Sequence, residues 1–328
     1  MIDMSENNLL GDYLRARRAL VRPDSVGLPV YGVRRVAGLR REEVALLAGV
    51  SSDYYLRLEQ GRDRHPSMEV LEAIARVLGL DQAAIAYLLG LAAPRTRQRP
   101  RRPKRETVPP SILHLLDVLG LPAFVEGRYF DVLAANSLAR ALSPTLQVGQ
   151  NRLRAVFLDP AEQALYPDWD DATALLVAGF RASVGSDADD PRVVQLVGEL
   201  SLSSERFRRL WARHDVQPRE GMPTRMHHPH VGDLTLSREK LAIGGAAGQL
   251  LVVYHAQAGA RSAEKMALLA SLASPTATVT HDAIPGRPPV PRPDSHPSPE
   301  RAGLSRREIA AFLDAPARLN EEISAVDL

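Results

Sequence analysis

The segment Gly38-Leu39-Arg40-Arg41-Glu42-Glu43-Val44-Ala45-Leu46-Leu47-Ala48-Gly49-Val50-Ser51-Ser52-Asp53-Tyr54-Tyr55-Leu56-Arg57-Leu58-Glu59-Gln60-Gly61 has the build of two short helices joined by a sharp turn. Ala45 is small enough for a close helix crossing, Gly49 supplies a positive backbone angle, Val50 plugs the core beneath the turn, and Ser51 caps the second helix. Tyr55 and Leu58 are expected inward. Ser52, Asp53 and Arg57 are expected outward near the start of that helix, where side chains reach base edges in a groove wide enough for one helix. Asp53 has two readings, as an acceptor from a cytosine amino group or as a helix cap. Arg40, Arg41, Arg62 and Arg64 flank the pair and are expected over phosphates, fixing register without reading sequence. With Tyr54 and Gln60 they complete the candidate DNA-binding set of Arg40, Arg41, Ser51, Ser52, Asp53, Tyr54, Arg57, Gln60, Arg62 and Arg64.

Around this pair, residues 9–93 alternate amphipathic stretches with polar turns, with no period-two run, which predicts an all-α domain of five helices. Apolar stripes run through Val44, Leu47 and Ala48, Tyr55 and Leu58, Leu71, Ile74 and Leu78, then Ile85, Leu88 and Leu89. Gly49 and Gly61 end helices, while Ser51, Pro66-Ser67 and Asp81 start them. Residues 94–108, opening on Pro94-Arg95-Thr96-Arg97, read as a basic linker, either a solvated spacer or an arm that also touches phosphates. Residues 109–273 form a second domain, α+β, with strand-like segments at 121–125, 128–134, 234–236 and 249–255 and helical sequence between them. Glu126-Gly127 reads as a hairpin turn, so the sheet is expected to be antiparallel. Helical stripes at Leu176, Phe180 and Val184, and at Phe207, Leu210 and Trp211, would cover one sheet face. Residues 274–328 are proline-rich and expected to be largely disordered, with a short helix at 305–313.

The 328 residues, 45% hydrophobic and 24% charged, have room for two globular domains. No apolar run reaches the ~18 residues of a membrane span and no secretory leader opens the chain, so a soluble, cytoplasmic protein is expected. The absence of cysteine excludes disulfides and thiolate metal sites. The net charge is only +2, but arginine crowds the N-terminal third and the linker, and lysine occurs only at Lys104, Lys240 and Lys265. Guanidinium concentrated in one region suits phosphate. His227, His228 and His230 cluster, but a strand would project 227 and 230 to opposite faces with no acidic or cysteine ligand alongside, so no metal is assigned. The Gly244-Gly245-Ala246-Ala247-Gly248 run precedes a strand, the wrong context for a dinucleotide. No nucleophile elbow, P-loop or paired metalloprotease histidines occur, so no enzyme is expected.

The reading pair, together with Leu10-Gly11-Asp12-Tyr13-Leu14-Arg15-Ala16-Arg17-Arg18, resembles the Cro/repressor class of helix-turn-helix, the XRE family, in a large actinobacterial branch. Downstream, Phe157-Leu158-Asp159-Pro160, Leu165-Tyr166-Pro167-Asp168-Trp169, Phe207-Arg208-Arg209-Leu210-Trp211-Ala212-Arg213-His214-Asp215-Val216, His228-Pro229 and Leu251-Val252-Val253-Tyr254 resemble the MmyB-like ligand-binding domain. The likeness implies a PAS-like fold with a pocket for an apolar, fatty-acid-like ligand and no other cofactor. Its candidate lining is Phe124, Val132, Asn136, Phe157, Leu176, Phe180, Trp211, Val252 and Tyr254, with Arg154, Arg213 and His214 as carboxylate holders. Each aromatic has core packing as its alternative, and Arg213 a salt bridge to Asp159, Asp168 or Asp215. Where members of the family show Trp-Asn after the second strand, this chain has Ala135-Asn136, which should enlarge the pocket or leave a loose patch. The chain is thus expected to be a transcriptional regulator that binds double-stranded DNA as a homodimer. In the alternative, its second domain only dimerises or binds protein.

Overall fold

The computed structural model describes residues 8–29, 34, 36–63, 65–93, 106–217 and 222–273. Arg64, most of the basic linker, and the tail from residue 274 with its expected helix lie outside the described residues.

Five helices build the N-terminal domain: α1 (Leu9–Leu20), α2 (Arg41–Ala48), α3 (Ser52–Glu59), α4 (Met68–Val77) and α5 (Gln82–Ala92). Their starts follow the predicted chemistry. Ser51 accepts from the Tyr54 amide, Ser67 from Val70 and Asp81 from Ala84, each satisfying a first-turn N–H that has no partner within its helix. Gly49 ends α2 with φ 70°, a conformation in which a Cβ would be strained. Tyr13, Leu14, Val44, Ala45, Tyr55, Leu58, Ile74 and Leu88 pack into one core. Leu47 corrects the reading: it is 39% exposed, because the inward stripe of so short a helix runs through Val44, Ala45 and Ala48 and turns Leu47 to the surface.

The most constrained group in this core is charged. Glu59, at the end of α3, is 0% exposed. Its carboxylate accepts from Arg18 Nε of α1 at 2.6 Å and from Arg41 Nε of α2 at 2.6 Å. Its carbonyl accepts from Asn8 Nδ2 at 2.8 Å and Arg15 Nη2 at 3.1 Å. Both ends of one residue thereby fasten the second helix of the pair to the two helices behind it.

The second domain opens with α6 (Pro110–Val118), β1 (Ala123–Glu126), β2 (Val132–Ala135), α7 (Ser137–Leu142), α8 (Arg152–Leu158), α9 (Pro160–Ala164) and α10 (Trp169–Val184). It continues with α11 (Pro191–Ser203), α12 (Glu205–Ala212), β3 (Met222–His228), β4 (Gly232–Ala242), β5 (Leu250–His255) and α13 (Arg261–Ala273). The strands form one antiparallel sheet of order β2-β1-β5-β4-β3. The second strand begins at Val132 instead of 128, because residues 127–131 make the hairpin turn: Gly127 N donates to Asp131 O at 2.9 Å, and Phe130 adopts φ 64°. So unfavourable an angle for a bulky residue is held by burying its ring against Phe180.

One sheet face carries Phe124, Val132, Met226, Leu234, Leu236, Val252 and Tyr254, packed against Phe157, Leu176, Phe180 and Phe207 of the helices. The other face is covered too. Leu116 and Ile112 of α6 lie on Ala123, Val125, Ala134 and Leu251 there. Asn136 joins the layers: its Oδ1 accepts from the Ala123 and Ala139 amides at 3.1 and 2.9 Å, and its Nδ2 donates to Leu121 O at 2.7 Å.

Two outcomes are expected. Asn136→Ala strands several buried groups at once and should lower unfolding stability by about 3 kcal/mol, read from urea titrations. For Glu59, burial alone pushes the carboxyl up, but Arg18 and Arg41 outweigh it and hold the group below its ordinary value. Its contribution is therefore present above the unfolded-state pKa of about 4.3 and is lost as pH falls through the lower folded value. Glu59→Gln should be less stable near neutrality, and should lose less stability than the parent between about pH 5 and about pH 3.

Candidate DNA-reading face and ligand cleft

On α3, Tyr55, Leu58 and Glu59 face inward, which leaves Ser52 and Asp53 exposed and Arg57 42% exposed along the outer side. Ser51, the cap, is exposed beside them, as are Gln60 and Arg62 at the far end, while Tyr54 is half-buried. Arg57 Nη1 pairs with the Asp53 carboxylate one turn back, and its guanidinium lies 5.7 Å from the Tyr54 ring centre. The Asp53 side chain thus neither caps α3 nor stands alone, and a base edge would meet the Asp53–Arg57 pair as a unit. Arg40 is exposed, and its backbone N–H is held by Glu43 at 2.7 Å, with Glu43 in turn gripped by Arg34 at 2.8 and 2.7 Å. Arg41 was expected to serve phosphate alone, but one edge of its guanidinium is committed to Glu59 while the rest remains at the surface.

The residues proposed to line a ligand pocket are mostly close-packed. Phe157 meets Phe207 at 5.2 Å between ring centres, Phe207 stacks on Trp211 at 6.0 Å, Trp211 meets Phe180 at 5.9 Å, and Phe124 stacks on Tyr254 at 6.5 Å. Val132 and Val252 are buried in the same cluster. The hydrogen bonds of Asn136 are those of a structural hub. Arg154 is matched by Glu199 through two bonds of 2.8 and 2.7 Å, and Arg213 by Asp215 at 2.7 Å, so neither offers a free carboxylate anchor. Ala135 packs partly buried at the edge of the core and does not border the cleft described next.

That cleft, of about 280 Å³, lies beside the aromatic core. Leu176 is the one member of the expected set that lines it, with Val156, Ala172, Leu175 and Pro223 as further apolar walls and Arg152, Tyr166, Thr224 and Arg238 as polar ones. At its mouth Arg225 and Asp168 form two bonds of 2.6 Å. Sequence reading missed Arg152 and Arg238. A signal existed: on β4 the inward positions run Leu234, Leu236, Arg238, Lys240, an alternation that stays regular while its chemistry turns from apolar to cationic. The apolar pattern by itself marks a strand only over 234–236, whereas β4 runs from Gly232 to Ala242. Strand β3, with proline and two histidines among its seven residues, carries little strand propensity. Its register sets Asp233 opposite His227, and the two side chains meet at 2.6 Å, while His228 is buried on Ala141 O at 2.9 Å. Among the described residues no group of three His, Cys, Asp or Glu side chains is placed to hold a metal.

His214 belongs to a different contact. Its imidazole lies against Tyr13 of α1, ring centres 6.2 Å apart, and takes Arg181 Nη1 of α10 at 3.3 Å. Arg181 also donates to Trp211 O at 2.5 Å and stacks 3.8 Å from the Trp211 ring centre. Arg17 of α1 meets Asp215 at 2.5 Å, and Val216 inserts into the core of the N-terminal domain. Burial, with the Arg181 and Arg17 cations beside it, pushes the His214 pKa down to about 3, so it is neutral at physiological pH. The helix that walls the cleft with Ala172, Leu175 and Leu176 therefore carries Arg181 in its last turn, on the junction with the helix-turn-helix domain.

Among the described residues no helix is long and apolar enough to cross a membrane. A helix-turn-helix domain family matches residues 9–88, and the MmyB-like transcription regulator ligand binding domain family matches residues 108–269. A comparison with curated proteins gave no match. Both matched families are regulatory and neither is enzymatic. The exposed face of α3 and the walled cleft thus fall in matched domains of the corresponding kinds, and the chain is a helix-turn-helix DNA-binding protein that carries an MmyB-like transcription-regulator ligand-binding domain.

Proposed function

We propose that the protein is a cytoplasmic, XRE-type transcriptional regulator that reads double-stranded DNA with α3 and changes its affinity when a small amphipathic, fatty-acid-like molecule occupies the second domain. The observation that carries the reading is the outer side of α3, where Ser52 and the Asp53–Arg57 pair stand clear of the fold with Arg62 beyond them. Arg57 is assigned to base edges and Arg62, with the free edge of Arg41, to phosphates. One short helix contacts too few bases to select a genomic site, so a homodimer is assigned, its two reading helices entering successive grooves about 34 Å apart on a roughly palindromic operator. The antiparallel sheet order β2-β1-β5-β4-β3, with the aromatic-bearing helices packed on one of its faces, supports a PAS-like sensor.

A ligand acts on such a protein only through its differential affinity for two arrangements. The route we assign runs from the cleft along α10 to Arg181, across His214 and Tyr13 to α1, and through Arg18 to Glu59 at the end of α3. The close-packed aromatic cluster favours a second reading, in which the domain binds no ligand and serves only for dimerisation or protein contact. Mass spectrometry of gently released protein separates the two: a co-purifying or re-added amphipathic molecule supports the sensor, and repeated failure to bind any supports the second reading.

In gel shifts across a salt series, Arg57→Ala should cut discrimination between operator and random DNA by about 1–3 kcal/mol. Arg62→Ala should weaken both DNAs alike and reduce the salt slope by about one. Equal losses for both variants on both DNAs would remove the base-reading assignment. By scanning calorimetry the parent should melt in one transition, and Arg181→Met, which cuts the junction, should split it into two.

A further inference from the structure

We propose that Asp53 is a specificity-determining residue of the α3 face: it holds Arg57 in line with a guanine and away from phosphates, and its own carboxylate accepts from the amino group of an adjoining cytosine. This deepens the proposed base reading and rests on the assignment of Arg57 to base edges. Arg57 Nη1 bonds to Asp53 Oδ2 one turn back, and the guanidinium lies 5.7 Å from the Tyr54 ring centre, within reach of a cation–π contact. Two contacts from one helix thus fix a side chain that is otherwise long and free to turn. The pair is open to solvent, with the Arg57 side chain 42% and that of Asp53 75% exposed. Its value to the helix itself is small, because an exposed pair four residues apart adds little to a helix already capped by Ser51 and packed through Tyr55 and Leu58.

On a duplex the strongest acceptors for a loose arginine are phosphates, which are the same in every sequence. Asp53 changes that competition. Its carboxylate is repelled by phosphate and cancels the Arg57 charge, so the middle of α3 brings no net charge to the backbone. Attraction to phosphate is left to Arg40 and Arg62, both exposed, and to the free edge of Arg41.

What remains on the two side chains is a matched set of donors and acceptor. Among the described residues Nη1 is the Arg57 guanidinium nitrogen that has a protein acceptor, which leaves Nε and Nη2 as a two-donor fork. In the major groove guanine alone offers such a fork two acceptors, O6 and N7. Asp53 does not cap α3, a task done by Ser51, so its Oδ1 is left as an acceptor beside the fork. Cytosine offers an amino donor with no acceptor next to it on the same base, whereas adenine places N7 beside its amino group and would repel a carboxylate. Since the two side chains touch, the two bases must as well: the cytosine is the guanine's own partner or lies on the next step.

The test uses the full chain. Selection from a random-sequence duplex library should return a guanine with such a cytosine, and fluorescence anisotropy then compares the selected duplex with random duplex across a salt series. Replacing that cytosine by N4-methylcytosine, which blocks the groove-facing amino hydrogen and keeps the base pair, should weaken the parent about tenfold and Asp53→Ala not at all. Asp53→Ala frees the Arg57 charge, so it should bind random duplex more tightly than the parent, with a salt slope steeper by about one, and discriminate about tenfold less. Asp53→Asn, which can donate as well as accept, should select adenine in place of that cytosine. A residue that only stabilised the helix would lower the melting temperature and weaken every duplex alike. That pattern, an Asp53→Ala protein no tighter on random duplex than the parent, or an equal N4-methylcytosine penalty in both, would overturn the inference. The reading it rests on is tested apart: if 7-deazaguanine in place of the guanine costs Arg57→Ala as much as the parent, the assignment of Arg57 to base edges falls, and that of Asp53 with it.

Discussion

A carboxylate can sit in a dry helical core only when every lone pair is claimed, and Glu59 meets that condition by drawing Arg18 and Arg41 onto itself. The consequence is positional. Glu59 is the last residue of α3, so the bonds that neutralise it also set the angle at which the reading helix leaves the domain. Tyr55 and Leu58 supply apolar contact on the same side, but apolar packing is non-directional and tolerates small rotations. The two arginines do not, because their hydrogen bonds weaken steeply with angle. The outward placement of Ser52 and Arg57 thus depends on an ion cluster on the opposite side of the helix.

The same device recurs at the junction between the domains. Arg181 is buried and held by His214, the Trp211 carbonyl and the Trp211 ring, and Arg17 reaches across to Asp215. Guanidinium groups, planar and always charged, serve in both places as rigid brackets between helices. Helix α10 forms a wall of the cleft at one end and carries Arg181 near the other, where Arg181 meets the His214 ring that lies against Tyr13 of α1, and α1 holds Arg18. The connection is a series of packed, directional contacts, the kind that passes between discrete arrangements instead of deforming smoothly.

The cleft itself reflects a division of labour within the second domain. Its aromatic residues fill the space between sheet and helices, ring on ring, which gives the domain a core that needs no occupant. The adjoining end of the sheet differs in chemistry: there β4 turns from leucine to arginine and lysine on its inward face. A pure apolar wall there would have been more stable. Charges placed on a buried face at a cost in stability are the usual mark of a site where function sets the sequence.

Sequence by itself determined the elements whose cause is local. Caps at Ser51, Ser67 and Asp81, the glycine turn at Gly49 and the inward Tyr55 and Leu58 depend on residues within one or two turns of each other, so they were legible, as were the five helices and the antiparallel sheet. Tertiary structure decided everything that depends on which charge meets which. Arg154 looked like a ligand anchor until Glu199, forty-five residues away, claimed it, whereas the pairing of Arg213 with Asp215, two residues on, was already one of the alternatives legible in the sequence. Arg152 and Arg238 were unremarkable in sequence until folding set both on the wall of one cleft. His214 moved from a supposed pocket to the domain junction. The physical reason is one of range: backbone capping and helical periodicity are fixed by neighbours along the chain, whereas the partner of a long flexible cation is chosen only when distant segments close around it.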